Sequence, residues 1–166
     1  ARIRYGGDYA IRWGLLSVIF VYLSSDEMLR LHERMSGGLL QPALEVLGYE
    51  PSGIFRYPWI IVYVPLTLVF VLAYLRFWLD LPSKIRTLFF VSGSLFVWGA
   101  VGAEMINGLL HDLYGQGGLL YAAMTHLEEF LEMIGIVVFV YALLSYIGAH
   151  LNVNEMRISV GDEKPG

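Results

Sequence analysis

The sequence predicts an all-α, integral membrane, four-helix up-and-down bundle, and three observations carry that prediction. Hydrophobic residues make up 57% of the 166 positions and charged ones only 16%, against about 25% charged in an ordinary soluble domain. The apolar residues gather in long stretches, and a helix that crosses a bilayer needs about 20 mostly apolar residues. The polar residues concentrate where those stretches end, which is where a chain passing back and forth through lipid meets water.

Four spans are expected at about 9–35, 57–79, 86–113 and 119–148, in one domain covering 1–151. The first contains WGLLSVIFVYL and reads on as one helix through SSDEMLRLHERM. Arg2, Arg4 and Arg12 precede it in the manner of a signal peptide, but no small-residue cleavage site follows, so this span is expected to stay. The second is YPWIIVYVPLTLVFVLAYLRFWL, with a kink expected at Pro65, whose ring nitrogen cannot donate to the helix ladder. The long connection at 36–55 includes LLQPALEVLG, a candidate short interfacial helix. Residues 152–166, NVNEMRISVGDEKPG, read as a short polar cytoplasmic tail.

Four spans place both termini on one side, together with the link around 76–86. That side holds eight of the eleven basic residues: Arg2, Arg4, Arg12, Arg76, Lys84, Arg86, Arg157 and Lys164. By the positive-inside rule it is cytoplasmic, so the chain is expected in a prokaryotic cytoplasmic or thylakoid-type membrane. The partners implied are the lipid bilayer and other membrane-protein subunits. With a net charge of −4, nothing points to nucleic acid.

The opposite, exoplasmic end collects three polar groups distant in sequence: DEMLRLHE closing span one, AEMINGLLH closing span three and THLEEFLE opening span four. At about 1.5 Å of rise per residue, Glu104 lies roughly 27 Å along the helix from Arg86, and Glu132 roughly 24 Å from Gly148. Both fall within a hydrocarbon layer about 30 Å thick. An isolated carboxylate at that depth costs several kcal/mol, so such residues point to function. The plain alternative is that acids at a helix start favour its dipole; it accounts for Glu128 and Glu129 better than for Glu132.

Helical spacing groups the side chains. Glu104, Asn107 and His111 form one stripe; Glu128 and Glu129 both neighbour Glu132, and His126 neighbours Glu129. On span one Asp26, Arg30 and Glu33 form a stripe, flanked by His32 and Glu27. With no cysteine in the chain, thiolate zinc sites, iron–sulfur clusters and covalently attached haem are excluded. Carboxylate with imidazole suits a hard metal, iron or manganese. The candidate ligands are Glu104, Glu132, Glu129, Glu128, Glu33, His32, His111 and His126, with Asp26, Glu27, Arg30 and Asn107 around them. The ingredients of a di-iron bundle are present, but not its Glu-x-x-His pairs.

The stretches LSSDEMLRLHERM, AEMINGLLHDLYG and HLEEFLEMIGIVVFVYALLSY together resemble a family of small, mostly uncharacterised prokaryotic four-span membrane proteins with DExxxxHE and EExxEMxG signatures. The resemblance implies that Asp26, Glu27, His32, Glu33, Glu128, Glu129, Glu132 and Met133 act as one signature, and implies no activity. Two other readings stand beside the metal site. One is a non-enzymatic accessory subunit of a larger membrane complex. The other is b-type haem held by two of His32, His111 and His126.

Overall fold

The computed structural model describes residues 7–150, and among these it is all-α, with no strand. The tail at 152–166 and the basic residues Arg2, Arg4, Arg157 and Lys164 lie outside the described residues. Three helices are long and apolar enough to cross a membrane: Trp59–Asp80, Ser83–Tyr114 and Leu119–Ala149. They place the protein in a membrane environment.

The described residues open with α1, Gly7–Leu29, and depart at once from the single first helix expected to Met35. Arg30 adopts φ 49° and ψ 49°, the left-handed conformation, and ends the helix. A short α2, Leu31–Met35, comes after it. Next comes a π-helical turn, Ser36–Leu40, and then α3, Gln41–Val46, within the stretch expected to form a short helix. Gly37 and Gly38, both poor helix formers, sit inside the π-helical turn.

Pro58 precedes α4, Trp59–Asp80, a position that suits its fixed φ. The helix continues through Pro65 as one element. Pro82 precedes α5, Ser83–Val97. A second π-helical turn, Trp98–Ala103, joins α5 to α6, Glu104–Tyr114, which stops at Gly115 with φ 76°. The last helix is α7, Leu119–His150.

Side-chain contacts fix how these helices run. Ser92 Oγ donates to the Gly135 carbonyl at 2.9 Å, and Asn107 Nδ2 donates to Thr125 Oγ1 at 3.1 Å, so α5 and α6 run antiparallel to α7. Tyr9 donates to Asp80 at 2.6 Å while Tyr22 and Tyr63 share a hydroxyl contact further along, so α1 runs antiparallel to α4. Phe20 stacks on Phe139 at 4.2 Å and Trp13 meets Tyr146 at 5.2 Å, which brings α1 against α7.

The apolar core sits at the end where α4 turns into α5. Phe77, Leu81 and Ile85 are buried there, packed by Tyr9, Trp13, Tyr74, Trp78, Phe89 and Tyr146. Trp78 closes the turn by donating its indole N–H to the Arg86 carbonyl at 2.9 Å. The opposite end holds a polar chamber.

Candidate functional site

The chamber has a volume of about 520 Å³ and takes its walls from several elements at that end. From α6 come Glu104, Asn107 and His111, the stripe expected from i, i+3 and i+7 spacing. From α7 come Tyr121, Thr125 and Glu128, again one helical face. Glu33, Ser36, Arg56, Tyr57 and Trp59 extend the wall from α2, the first π-helical turn, the loop before α4 and the first residue of α4.

Local irregularities in the backbone aim these residues. The second π-helical turn ends immediately before Glu104, and such turns recur at functional sites because they rotate the residues beyond them against the helix before them. Within it, Gly99 lets α7 approach so closely that an added Cβ would stand 2.9 Å from Glu132 Cγ and 3.0 Å from the Glu128 carbonyl oxygen. The first π-helical turn supplies Ser36, whose hydroxyl accepts the Trp59 backbone N–H at 3.3 Å and ties this segment to α4.

The outer rim is held by a clamp. Asp112 accepts from both the Gly53 backbone N–H and the Arg56 guanidinium. Arg56 also reaches His111 Nε2 at 3.1 Å. A guanidinium only donates, so Nε2 is the acceptor and Nδ1 carries the ring proton; Nδ1 is buried without a partner. The loop presses on α6 at Gly108, where a Cβ would stand 2.6 Å from the Gly53 carbonyl oxygen.

Deeper in, Asn107 is 3% exposed and donates to Thr125 and, at 3.4 Å, to Glu128. Its Oδ1 has no hydrogen-bond partner, and neither does the indole N–H of Trp59, which is 4% exposed. The Trp59 indole N–H is within reach of the Glu104 carboxyl, without forming a hydrogen bond of ordinary geometry. Buried polar atoms left unpaired are rare and call for an explanation in ligand or water.

Electrostatically the chamber is acidic. Glu104 lies within reach of the charges of Glu33 and Glu132, and Glu128 of those of Glu104, Glu129 and Glu27. Among the described residues the one guanidinium in the wall, Arg56, is already engaged by Asp112. Glu33 stands at the exposed rim, 3.7 Å from Arg30.

Of the twelve residues that the sequence singles out, the wall gathers Glu33, Glu104, Asn107, His111 and Glu128. Glu132 sits behind it, within electrostatic reach of Glu27, Glu128 and His32. Asp26 and His32 form a separate unit: the buried Asp26 accepts the backbone N–H of His32 at 2.8 Å and meets its Nδ1 at 2.9 Å. The left-handed Arg30 permits this fold-back and dissolves the expected stripe of Asp26, Arg30 and Glu33. Glu27 is exposed. His126 and Glu129 pair at 3.7 Å with side chains 80% and 63% exposed, outside the chamber. Among the described residues no three histidine, aspartate or glutamate side chains come together closely enough to hold a metal ion.

Trp59, Tyr57 and Tyr121 also belong to the wall, although aromatic residues at the ends of spans commonly serve as interfacial anchors. The spacing of Tyr121, Thr125, Glu128 and Glu132, at i, i+4, i+7 and i+11, is the signal that places Tyr121 on the acidic face of α7.

The chain belongs to a family described as Domain of unknown function (DUF8692), which matches residues 4–147. No curated protein and no solved structure matches it.

Proposed function

We propose, since that family brings no activity with it, a reading from the geometry: an integral membrane four-helix up-and-down bundle that binds a positively charged ligand in its polar chamber. α1 supplies the fourth span. Both termini are cytoplasmic, in a prokaryotic-type membrane, by the bias of basic residues, and the chamber opens on the exoplasmic side. The observation that carries the reading is the concentration of Glu104, Glu128 and Glu33 in one wall whose only guanidinium, among the described residues, is spent on Asp112. Two carboxylates in a chamber of low dielectric hold a cation far better than they tolerate each other.

In its metal form, the ligand would be iron or manganese held by Glu104 and Glu128, with the Asn107 Oδ1 as a further donor. Carboxylate and amide oxygens suit such hard ions. The haem form draws less support, because of the three candidate histidines His111 alone lines the chamber among the described residues, and its Nε2 already accepts from Arg56.

The test is thermal unfolding of the purified protein in mild detergent with Mn²⁺, Fe²⁺ and organic ammonium salts, alongside elemental analysis. At least one class of cation should raise the unfolding temperature, by mass action on the folded state. Glu104→Gln combined with Glu128→Gln should remove that rise. If no cation stabilises the protein, or if the double variant responds as strongly as the native chain, the reading fails.

An accessory-subunit role draws on a different surface. Leu39, Val46 and Leu47 are 65%, 89% and 78% exposed on the segment around α3. Co-purification of a partner that is lost on Val46→Glu with Leu47→Glu would support it.

A further inference from the structure

The class of ligand follows from a mismatch between the size of the chamber and the spacing of its donors; this step rests on the cation reading above. A metal ion gathers its ligand atoms within about 2.0–2.6 Å of itself, so its side chains must converge on a point. Glu104 and Glu128 share one wall, yet no three such groups converge among the described residues. The chamber's volume of about 520 Å³ belongs instead with sites for small organic molecules, roughly 300–1,000 Å³.

The wall also carries three aromatic rings, Tyr57, Trp59 and Tyr121, and aromatic rings beside carboxylates are the surroundings in which an ammonium group is stabilised by charge and by ring quadrupole together. A second, independent observation asks for hydrogen bonds of both kinds. Asn107, 3% exposed, has an oxygen with no donor, and Trp59, 4% exposed, has an N–H that approaches Glu104 without forming a hydrogen bond of ordinary geometry. A bare cation satisfies at most the first; a molecule with an N–H and an oxygen satisfies both.

We infer that the chamber takes a small organic molecule bearing an ammonium group, set between Glu104 and Glu128 and surrounded by Tyr57, Trp59 and Tyr121. The ammonium reaches it either free in water or as the head group of a zwitterionic lipid.

The test uses the full chain in nanodiscs of phosphatidylglycerol alone, with thermal unfolding followed in the presence of ethanolamine or 4-aminobutanol, their uncharged counterparts ethylene glycol and butanediol, and Mn²⁺. An amine should raise the unfolding temperature saturably and its diol should not. Glu128→Gln should weaken the amine by about tenfold, the scale of one charge-assisted contact. Trp59→Phe, which keeps an aromatic ring and loses the N–H, should weaken it as well. In nanodiscs containing phosphatidylethanolamine, an unfolding temperature already raised before any amine is added identifies the lipid as the source. An unchanged temperature, with the soluble amine still effective, identifies the free amine. If neither amine acts in either lipid, the inference is overturned. Should Mn²⁺ then stabilise the native chain and not Glu128→Gln, the cation reading survives alone; if Mn²⁺ is also without effect, both fall.

Discussion

At the end where α4 turns into α5, rings fill the space between helices: Trp13 meets Phe77 edge-on at 5.1 Å and Tyr74 meets Phe77 at 5.8 Å. At the other end the same helices enclose carboxylates, amides and unpaired donors. The backbone follows the chemistry. Helices α4 and α5 are regular at the aromatic end, whereas the left-handed Arg30 and both π-helical turns lie towards the chamber. Lipid tails are as apolar as leucine, so helices in a bilayer associate by packing and hydrogen bonding. One end uses mainly the first and the other the second, which leaves the polar end free to depart from regular geometry where a side chain must be aimed.

The largest effect expected on stability lies at the aromatic end. Phe77 is 3% exposed and touches Tyr9, Trp13 and Tyr74. Phe77→Ala should cost about 2–3 kcal/mol, below the roughly 3–5 kcal/mol of soluble cores, because a chain unfolded within the bilayer still keeps the ring in lipid. Unfolding in mixed detergent measures the loss. Affinity for the chamber's ligand should stay within about twofold of the native value, as for two sites that share no partners. A parallel collapse of affinity would mean that the two ends are one cooperative unit.

A pair of glycine substitutions sharpens the comparison at a smaller scale. Gly135 faces α5 so closely that a Cβ would stand 2.9 Å from the Phe96 backbone nitrogen and 3.1 Å from the Ser92 carbonyl oxygen. Neither atom can swing away, so Gly135→Ala should cost about 1–3 kcal/mol by forcing α5 and α7 apart. At Gly99 a Cβ would stand 2.9 Å from Glu132 Cγ, 3.0 Å from the Glu128 carbonyl oxygen and 3.1 Å from the Glu132 backbone nitrogen. Gly99→Ala should therefore cost comparable stability and, because it displaces the chamber's glutamates, more ligand affinity. Measuring both quantities for both variants checks the contrast; equal losses of affinity would show that the chamber responds to helix separation rather than to its carboxylates.

The apolar stretches and the two polar stripes on α6 and α7 are legible in the sequence because composition and 3.6-residue spacing survive folding. The helix limits at 59–80 and 119–150 lie close to the expected 57–79 and 119–148. A break in the helix itself is something spacing cannot register. A π-helical turn adds a residue to a turn and shifts the phase of every residue beyond it, and Arg30 resets the phase of His32 and Glu33 against Asp26. Hence spacing groups Asp26 and His32 with the chamber residues, although they form their own contact. Trp59 is hidden for another reason: an aromatic residue at a span's end serves equally as an interfacial anchor and as a wall, and only its buried, unpaired N–H separates the two.

The smallest expected effect tests whether the break at Arg30 is a cost carried for the polar end. A left-handed residue with a Cβ is disfavoured by roughly 1–2 kcal/mol, a penalty that glycine does not bear. Arg30 is exposed and its contact with Glu33 is a long one of 3.7 Å between solvated groups, of the kind that contributes little. Arg30→Gly should then leave the fold intact and raise stability by about 0.5–1 kcal/mol, part of the gain being offset by the greater entropy of glycine in the unfolded chain. Arg30→Val should act in the opposite direction, since a β-branched side chain tolerates positive φ least. If Arg30→Gly instead destabilises the protein, the arginine side chain itself holds the turn. The fold-back of Asp26 onto His32 would then depend on charge at the rim, not on backbone conformation alone.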